Sequence, residues 1–288
     1  MDLYNHPHNQ KPNFRRRNID LNCDLAQSFG VYKHSDEEAL LPFVSSVNIA
    51  CSGHAGDPPN IMKALWMAKE RNLAIGAHVG YPDLPGFGRR EMKLDEDEMN
   101  AYLCSQLGTI AGIAKNIGAE ITHFRPHGAL YYKCATDSIF AENLARTVAR
   151  FSGWLTFVGP MGSYLNIIRD NIGLNIAAEV HLDRPYRKDG VLHKFGSERN
   201  VSYEFALAQA RSLILQGKMI IEGGRRVKVT YDTIHLNMDR PYSLQLAKEV
   251  HNILNEKPSD LRDTAAIYDF ELADLKSNAS ISNVWSER

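Results

Sequence analysis

An α/β fold built on a parallel sheet is what this sequence predicts, and three observations carry the prediction. Seven short apolar segments alternate with helical patterns, and strands separated by helices pair in parallel. Three successive strand segments end in acids, histidines and glycines, and parallel α/β sheets hold ligands at strand carboxyl ends. No GxGxxG or P-loop pattern follows the first strand, which removes support from a nucleotide-binding open sheet. Chemistry spread over consecutive strand ends favours closure into a barrel.

The expected strands are 19–23, 47–51, 74–79, 121–125, 155–158, 175–180 and 233–236. In the first, Ile19, Leu21 and Cys23 alternate with Asp20, Asn22 and Asp24, the period of a strand. The helix at 58–71 carries an apolar stripe (Ile61, Ala64, Leu65, Ala68), with Asp57 placed to cap it. The helix at 95–117 opens on an acidic turn that suits the helix dipole, and Gly118 stops it. Further helical patterns cover 137–151, 162–171, 197–216 and 241–255. Segments 218–222 and 227–231 flank Gly223-Gly224 as a β-hairpin. The domain therefore spans 18–256. Residues 1–17 read as a disordered arm, and 257–288 as a mostly disordered tail with a short helix near 265–272.

The chain has 288 residues, 33 basic and 34 acidic, for a formal charge of -1. That balance offers no electrostatic footprint for nucleic acid or an anionic membrane. No apolar run approaches the roughly 18 residues of a membrane span. The N-terminal segment lacks the apolar core of a secretory signal, so a cytoplasmic location is expected. Cys23, Cys51, Cys104 and Cys134 show no CxxC spacing and read as reduced core thiols.

Asp24, at the tip of the first strand, is the candidate base or metal ligand; the alternative is an Asp capping the next turn. His54 and His78 sit among small residues at later strand ends, and His127 follows the fourth strand. An Asp with two or three His is a ligand set of divalent-metal hydrolases. The same groups serve equally as acid, base and oxyanion donors without metal. His123 lies nearer the strand interior and reads as structural. Gly86-Phe87-Gly88-Arg89-Arg90 reads as a loop over the strand ends, its arginines placed for a carboxylate or phosphate, or simply solvated. Tyr131 and Tyr132 are pocket-lining or packing residues.

These residues together resemble the LamB/YcsF family, whose bacterial members include the A subunit of 5-oxoprolinase. The resemblance runs from about Asn18 to Asn255. It rests on Asp20-Leu21-Asn22-Cys23-Asp24-Leu25, Asn48-Ile49-Ala50-Cys51 with His54-Ala55-Gly56-Asp57-Pro58, and Ile75-Gly76-Ala77-His78 with Gly80-Tyr81-Pro82-Asp83. Gly86-Phe87-Gly88-Arg89-Arg90, Pro126-His127-Gly128-Ala129-Leu130-Tyr131 and Glu179 with Asp183-Arg184 and Tyr186 continue it in order. The resemblance implies an atypical seven-stranded (β/α) barrel of the glycoside hydrolase/deacetylase type. It implies ATP-dependent opening of a lactam such as 5-oxoproline to L-glutamate, with partner subunits and ATP as co-substrate.

The expected site then comprises Asp24, His54, His78 and His127 as catalytic groups and Asn22, Arg89, Arg90, Tyr131 and Asp239 around the substrate. Asp24, His54 and His127 form the donor set open to a divalent metal. The chain also departs from the family pattern. Asp24-Leu25-Ala26-Gln27 stands for Asp-Leu-Gly-Glu, Cys51-Ser52-Gly53-His54 for Cys-Gly-Phe-His, and Leu236-Asn237-Met238-Asp239 for Val-His-Gly-Asp. A carboxylate has become the Gln27 amide and an imidazole the Asn237 amide. Two other readings stand beside lactam opening: a metal-dependent deacetylase of N-acetylated sugars, because the barrel type is shared, and a catalytically weak binding subunit, for which Gln27 and Asn237 are the evidence.

Overall fold

The computed structural model describes residues 19–34, 37–162, 164–193 and 201–255. The arm and the tail expected from the sequence, with the short helix near 265–272, lie outside the described residues. Strand alternation and helix periodicity produce β1 (Asp20–Leu25), β2 (Ser46–Ala50), α1 (Pro58–Glu70), β3 (Ala74–Val79), α2 (Glu96–Asn116) and β4 (His123–Pro126). Then come α3 (Gly128–Thr136), α4 (Ser138–Phe151), β5 (Thr156–Pro160), α5 (Tyr164–Ile172) and β6 (Asn175–His181). Last are α6 (Tyr203–Gln216), β7 (Lys218–Ile221), β8 (Arg225–Lys228), β9 (Thr233–Leu236) and α7 (Ser243–Asn255).

Seven strands close into a parallel barrel in the order β1-β2-β3-β4-β5-β6-β9. The antiparallel pair β7–β8 lies outside it, so the link from β6 to β9 carries α6 and the hairpin. Closure removes every sheet edge. The β4–β5 ladder spans only His123–Thr156 and Phe124–Phe157, so those two strands part above Phe124.

Local chemistry sets the helix ends. Asp57 accepts from the Asn60 amide, and Asp95 with Glu98 forms a reciprocal capping box. Gly217 ends α6 in the left-handed conformation. Two elements go beyond those expected from the sequence: α3, and a 3-10 helix at Glu37–Phe43. Cys104 is exposed, contrary to the expectation of a core thiol; Cys23, Cys51 and Cys134 are buried and free. No helix among the described residues is long and apolar enough to cross a membrane.

The barrel interior is polar as well as apolar. At its base, Asp20 accepts from the hydroxyls of Ser45, Ser46 (2.7 Å) and Thr233 (2.6 Å), tying β1 to β2 and β9. Above it, Asn22 donates to Glu179 (3.1 Å) and Thr233 (2.6 Å) and accepts from Asn48 (2.8 Å) and His235 (2.7 Å). His123 closes this ring through Asn48 Oδ1 at 3.0 Å, in keeping with a structural role.

Replacing Asp20 with Ala leaves the Ser46 and Thr233 hydroxyls without an acceptor, while Ser45 keeps the Leu21 carbonyl, and each buried unpaired polar group costs about 1–3 kcal/mol. Urea denaturation of Asp20→Ala should show a loss of about 2 kcal/mol or more; a midpoint matching the wild type would contradict this account of the base.

Candidate active site

Arg125, on β4, organises the carboxyl-end mouth of the barrel. Its Nε and Nη2 donate to Glu179 (2.8 and 2.7 Å), and its Nη1 reaches Asp24 Oδ1 at 3.3 Å. All three side chains are largely removed from solvent. Burial opposes ionisation of both acids, yet His78 and Arg125 hold Asp24 well below its usual range. Glu179 is likewise driven down, against burial, chiefly by Arg125. Both carboxyl groups are therefore ionised at neutral pH.

Asp24 Oδ1 also accepts from Asn48 (3.0 Å), and Oδ2 accepts from Gln27 Nε2 (3.2 Å). His78 Nε2 lies 3.2 Å and His235 Nε2 3.7 Å from the same Oδ2. His235 must present Nδ1–H to Asn22 Oδ1, because that oxygen has no proton to give. Burial, followed by Arg125, lowers the pKa of His235, so the ring is neutral and Nε2 is a free acceptor. Asp24 Oδ2 and His235 Nε2 thus form two acceptors side by side. A donor shared between them, such as a water molecule, fits this place.

The cleft above them opens to solvent. Asp24, Arg125, His127, Tyr131, His181 and His235 line its depth; His34, Phe87, Arg89, Arg184, Asn237 and Asp239 line its sides and mouth. Arg89 lies 3.5 Å from Asp239 and stacks over Phe87. Phe87, at a positive φ of 54°, aims its carbonyl at His127 Nε2 (2.8 Å). His34 stacks flat on the Phe87 ring at 4.8 Å. Gly128, at φ 54°, brings the start of α3 against this loop, since a Cβ there would overlap the Gly88 carbonyl.

Several expected site residues fall elsewhere. Arg90 is outside the cleft, held by a two-pronged ion pair to Asp83, so it is removed from the substrate set. Asn22 lies beneath the floor, 2% exposed, and serves the amide ring instead of a substrate. His54 and His78 are fully buried and do not line the cleft. Asp24, His127, Arg89, Tyr131 and Asp239 do line it, and so does Tyr132, which accepts from Arg184.

Arg125, His181 and His235 are site residues that sequence reasoning misses. Their signal is the strand-end rule itself: Glu179, His181 and Asp183 alternate along and just beyond β6, and Thr233 and His235 on β9.

The expected metal set also changes. Among the described residues the cluster with donor atoms within 4.8 Å of one another is His54, His78 and His127, without Asp24. The rings of His54 and His127 stack at 3.7 Å with planes 8° apart. A metal bonds an imidazole nitrogen in the ring plane at about 2.0–2.1 Å. One ion cannot lie in two parallel planes, so these histidines do not fit a shared metal.

Fold and site together define a class: a parallel α/β barrel whose strand ends bring an acid, an arginine and histidines to a small-molecule cleft. Within that class the chain belongs to the LamB/YcsF family, whose model matches residues 19–268. It is 41% identical over 225 residues to the 5-oxoprolinase A subunit of Chloroflexus aggregans, covering 77% of this chain and 89% of that one. With the 5-oxoprolinase A subunit of Staphylococcus epidermidis it shares 36% identity over 246 residues, 85% of this chain and 98% of the other. The crystal structure of a lactam utilization protein from Thermus thermophilus superimposes with a TM-score of 0.75 at 33% identity, covering 82% of this chain and 96% of that one.

Glu37 supports the Asp24 turn from behind, accepting from the Gln27 amide at 2.8 Å, and burial pushes its carboxyl up from 4.5 to about 7. The native state then keeps a proton that the unfolded chain loses, so this group subtracts stability as pH rises from about 4.5 to 7. Glu37→Gln keeps the acceptor and removes the titration. Denaturation should show a gain over wild type of order 1 kcal/mol at pH 8 that disappears toward pH 5; a gain independent of pH would refute the assignment.

Proposed function

We propose that this chain hydrolyses a small lactam, 5-oxoproline to L-glutamate, as the barrel subunit of an ATP-dependent 5-oxoprolinase-type assembly. The carrying observation is the acceptor pair Asp24 Oδ2 and His235 Nε2, 3.7 Å apart at the cleft floor, which orients a water. The subunit naming of the relatives supports both the lactam and the partner subunits.

In the reaction, the water oxygen bonds to the ring carbonyl carbon while Asp24 accepts its proton. The C–N bond then breaks, and Asp24 returns the proton to the leaving nitrogen. Arg125 and Tyr131 line the cleft, so that the guanidinium charge and the Tyr131 hydroxyl, 3.2 Å from His181 Nε2 in the free site, are placed to meet charge developing on the carbonyl oxygen. Arg89, at the mouth, is placed to exchange Asp239 for the substrate carboxylate.

A carboxylate held well below its usual range is a weak base, poorly matched to an unactivated amide. This mismatch supports prior activation of the lactam oxygen by phosphoryl transfer from ATP. ADP leaves when the lactam oxygen takes the phosphoryl group; the first water then opens the ring to an acyl phosphate, and a second cleaves that to the carboxylate and inorganic phosphate.

The departure at Gln27 is compatible with turnover, because the amide donates to Asp24 where a carboxylate would repel it. Glutamate release from 5-oxoproline with ATP and bacterial-type partner subunits tests the reading, with the corresponding bacterial barrel subunit in place of this chain as positive control. The wild-type chain should turn over, and Asp24→Asn should lose about 10²-fold or more. Silence from the wild type with the control active would overturn the proposal. In the same assay Gln27→Glu places a like charge beside Asp24 and raises its pKa. The acid limb of the pH–rate profile should move to higher pH; an unmoved limb would mean that Asp24 does not set it.

A further inference from the structure

We infer that a proton shared by His78 and His127 supplies, beneath the cleft, the charge that a metal would supply in a divalent-metal hydrolase. The inference follows from counting donors and concerns charge state alone, so it stands whether or not the lactam reading holds. His127 Nε2 meets the Phe87 carbonyl at 2.8 Å, and His78 Nδ1 meets the Arg125 carbonyl at 3.1 Å. A carbonyl only accepts, so both outer nitrogens carry N–H. The inner nitrogens, His78 Nε2 and His127 Nδ1, are 2.9 Å apart and need one more proton between them. The pair therefore holds three protons on four nitrogens and carries one positive charge.

That charge lies beside Asp24. Asp24 Oδ2 lies 3.2 Å from His78 Nε2. Burial, reinforced by the neighbouring histidines, holds the His127 pKa down. Arg125 Nη1, at 3.4 Å from the same His78 nitrogen, adds no proton to the pair. His54 stacks as a neutral ring on His127, its own pKa lowered by burial.

The buried charges then sum to zero: Asp24 and Glu179 against Arg125 and the histidine pair. Replacing the shared proton with a divalent ion would leave an uncompensated positive charge in a desolvated floor, which is unfavourable. The outer N–H groups bonded to carbonyls are an arrangement that metal-binding histidines also use. What separates the two readings is the parallel His54–His127 stack, which bars a three-histidine ion, and the charge already balanced without one.

The test uses the whole chain, purified from a culture supplied with zinc, manganese and nickel, and labelled with ¹⁵N-histidine. Elemental analysis should find no stoichiometric ion. Imidazole NMR should show one histidine protonated at both nitrogens, with its inner N–H shifted strongly downfield. That signal should persist in His54→Phe, which keeps the stack but no ring nitrogen, and vanish in His127→Gln, with circular dichroism confirming that both variants fold. One equivalent of retained metal that is lost in His54→Phe would overturn the inference. So would a metal-free protein in which both rings are neutral, or an inner N–H signal that survives His127→Gln.

Discussion

The guanidinium of Arg125 is the group on which the rest of the site depends. One edge, Nε and Nη2, is spent on Glu179 and Nη1 on Asp24, and the Tyr131 ring covers its face at 5.0 Å. Burial opposes the charge, but Glu179 and Asp24 hold the group firmly protonated. Breaking a buried ion pair by removing one partner typically costs about 3–5 kcal/mol, because the survivor is left uncompensated. The arginine is therefore the chief group holding Glu179 ionised, and it shares Asp24 with His78. The amide ring of Asn22 and Asn48 then spaces the acids and orients His235, so the geometry of the cleft floor is set from below.

Backbone strain gathers around this floor. Ala26, Ser52 and Phe87 have positive φ values of 58°, 68° and 54° and lie next to Asp24, His54 and the His127 contact. A left-handed non-glycine residue costs roughly 1–2 kcal/mol. Ala26 and Ser52 stand where the family pattern carries glycine, so this chain keeps the turns without the residue that adopts them most easily. Ser52 offsets part of the cost by donating to the Gly56 carbonyl at 2.7 Å. Gly53 replaces a family Phe, and the space its side chain would need is held by Gln106, which bonds both backbone groups of Gly80. The departures are therefore accommodated by local repacking, and the cluster of ionised groups survives them.

Much of this is legible in the sequence because the barrel repeats one rule. Alternation in Ile19–Asp24 and in the strands that follow places one face inward, and polar residues at strand tips then meet at one mouth. Asp24, His127, Tyr131, Arg89 and Asp239 emerge that way or through the family pattern. Followed only through the first four strands, the rule leaves His181 and His235 unnoticed on the last two barrel strands. Arg125 is hidden because an arginine inside a strand has no sequence mark that distinguishes a buried ion pair from an edge position. Helix α3 escapes because it starts directly at His127–Gly128, with a glycine at positive φ and no side-chain cap. Arg89 and Arg90 cannot be told apart by type; Asp83, seven residues back, takes Arg90 away.

In the proposed reaction Asp24, kept ionised by Arg125 and His78, faces the carbonyl carbon of a bound lactam. A crystal structure of the chain with 5-oxoproline tests this most directly. The expected result is the lactam carboxylate on Arg89, its carbonyl oxygen toward Arg125 and Tyr131, and a water between Asp24 and His235 in line with the carbonyl carbon. A lactam seated elsewhere, or one whose carboxylate reaches Asp24's end of the cleft with its ring facing solvent, would contradict it.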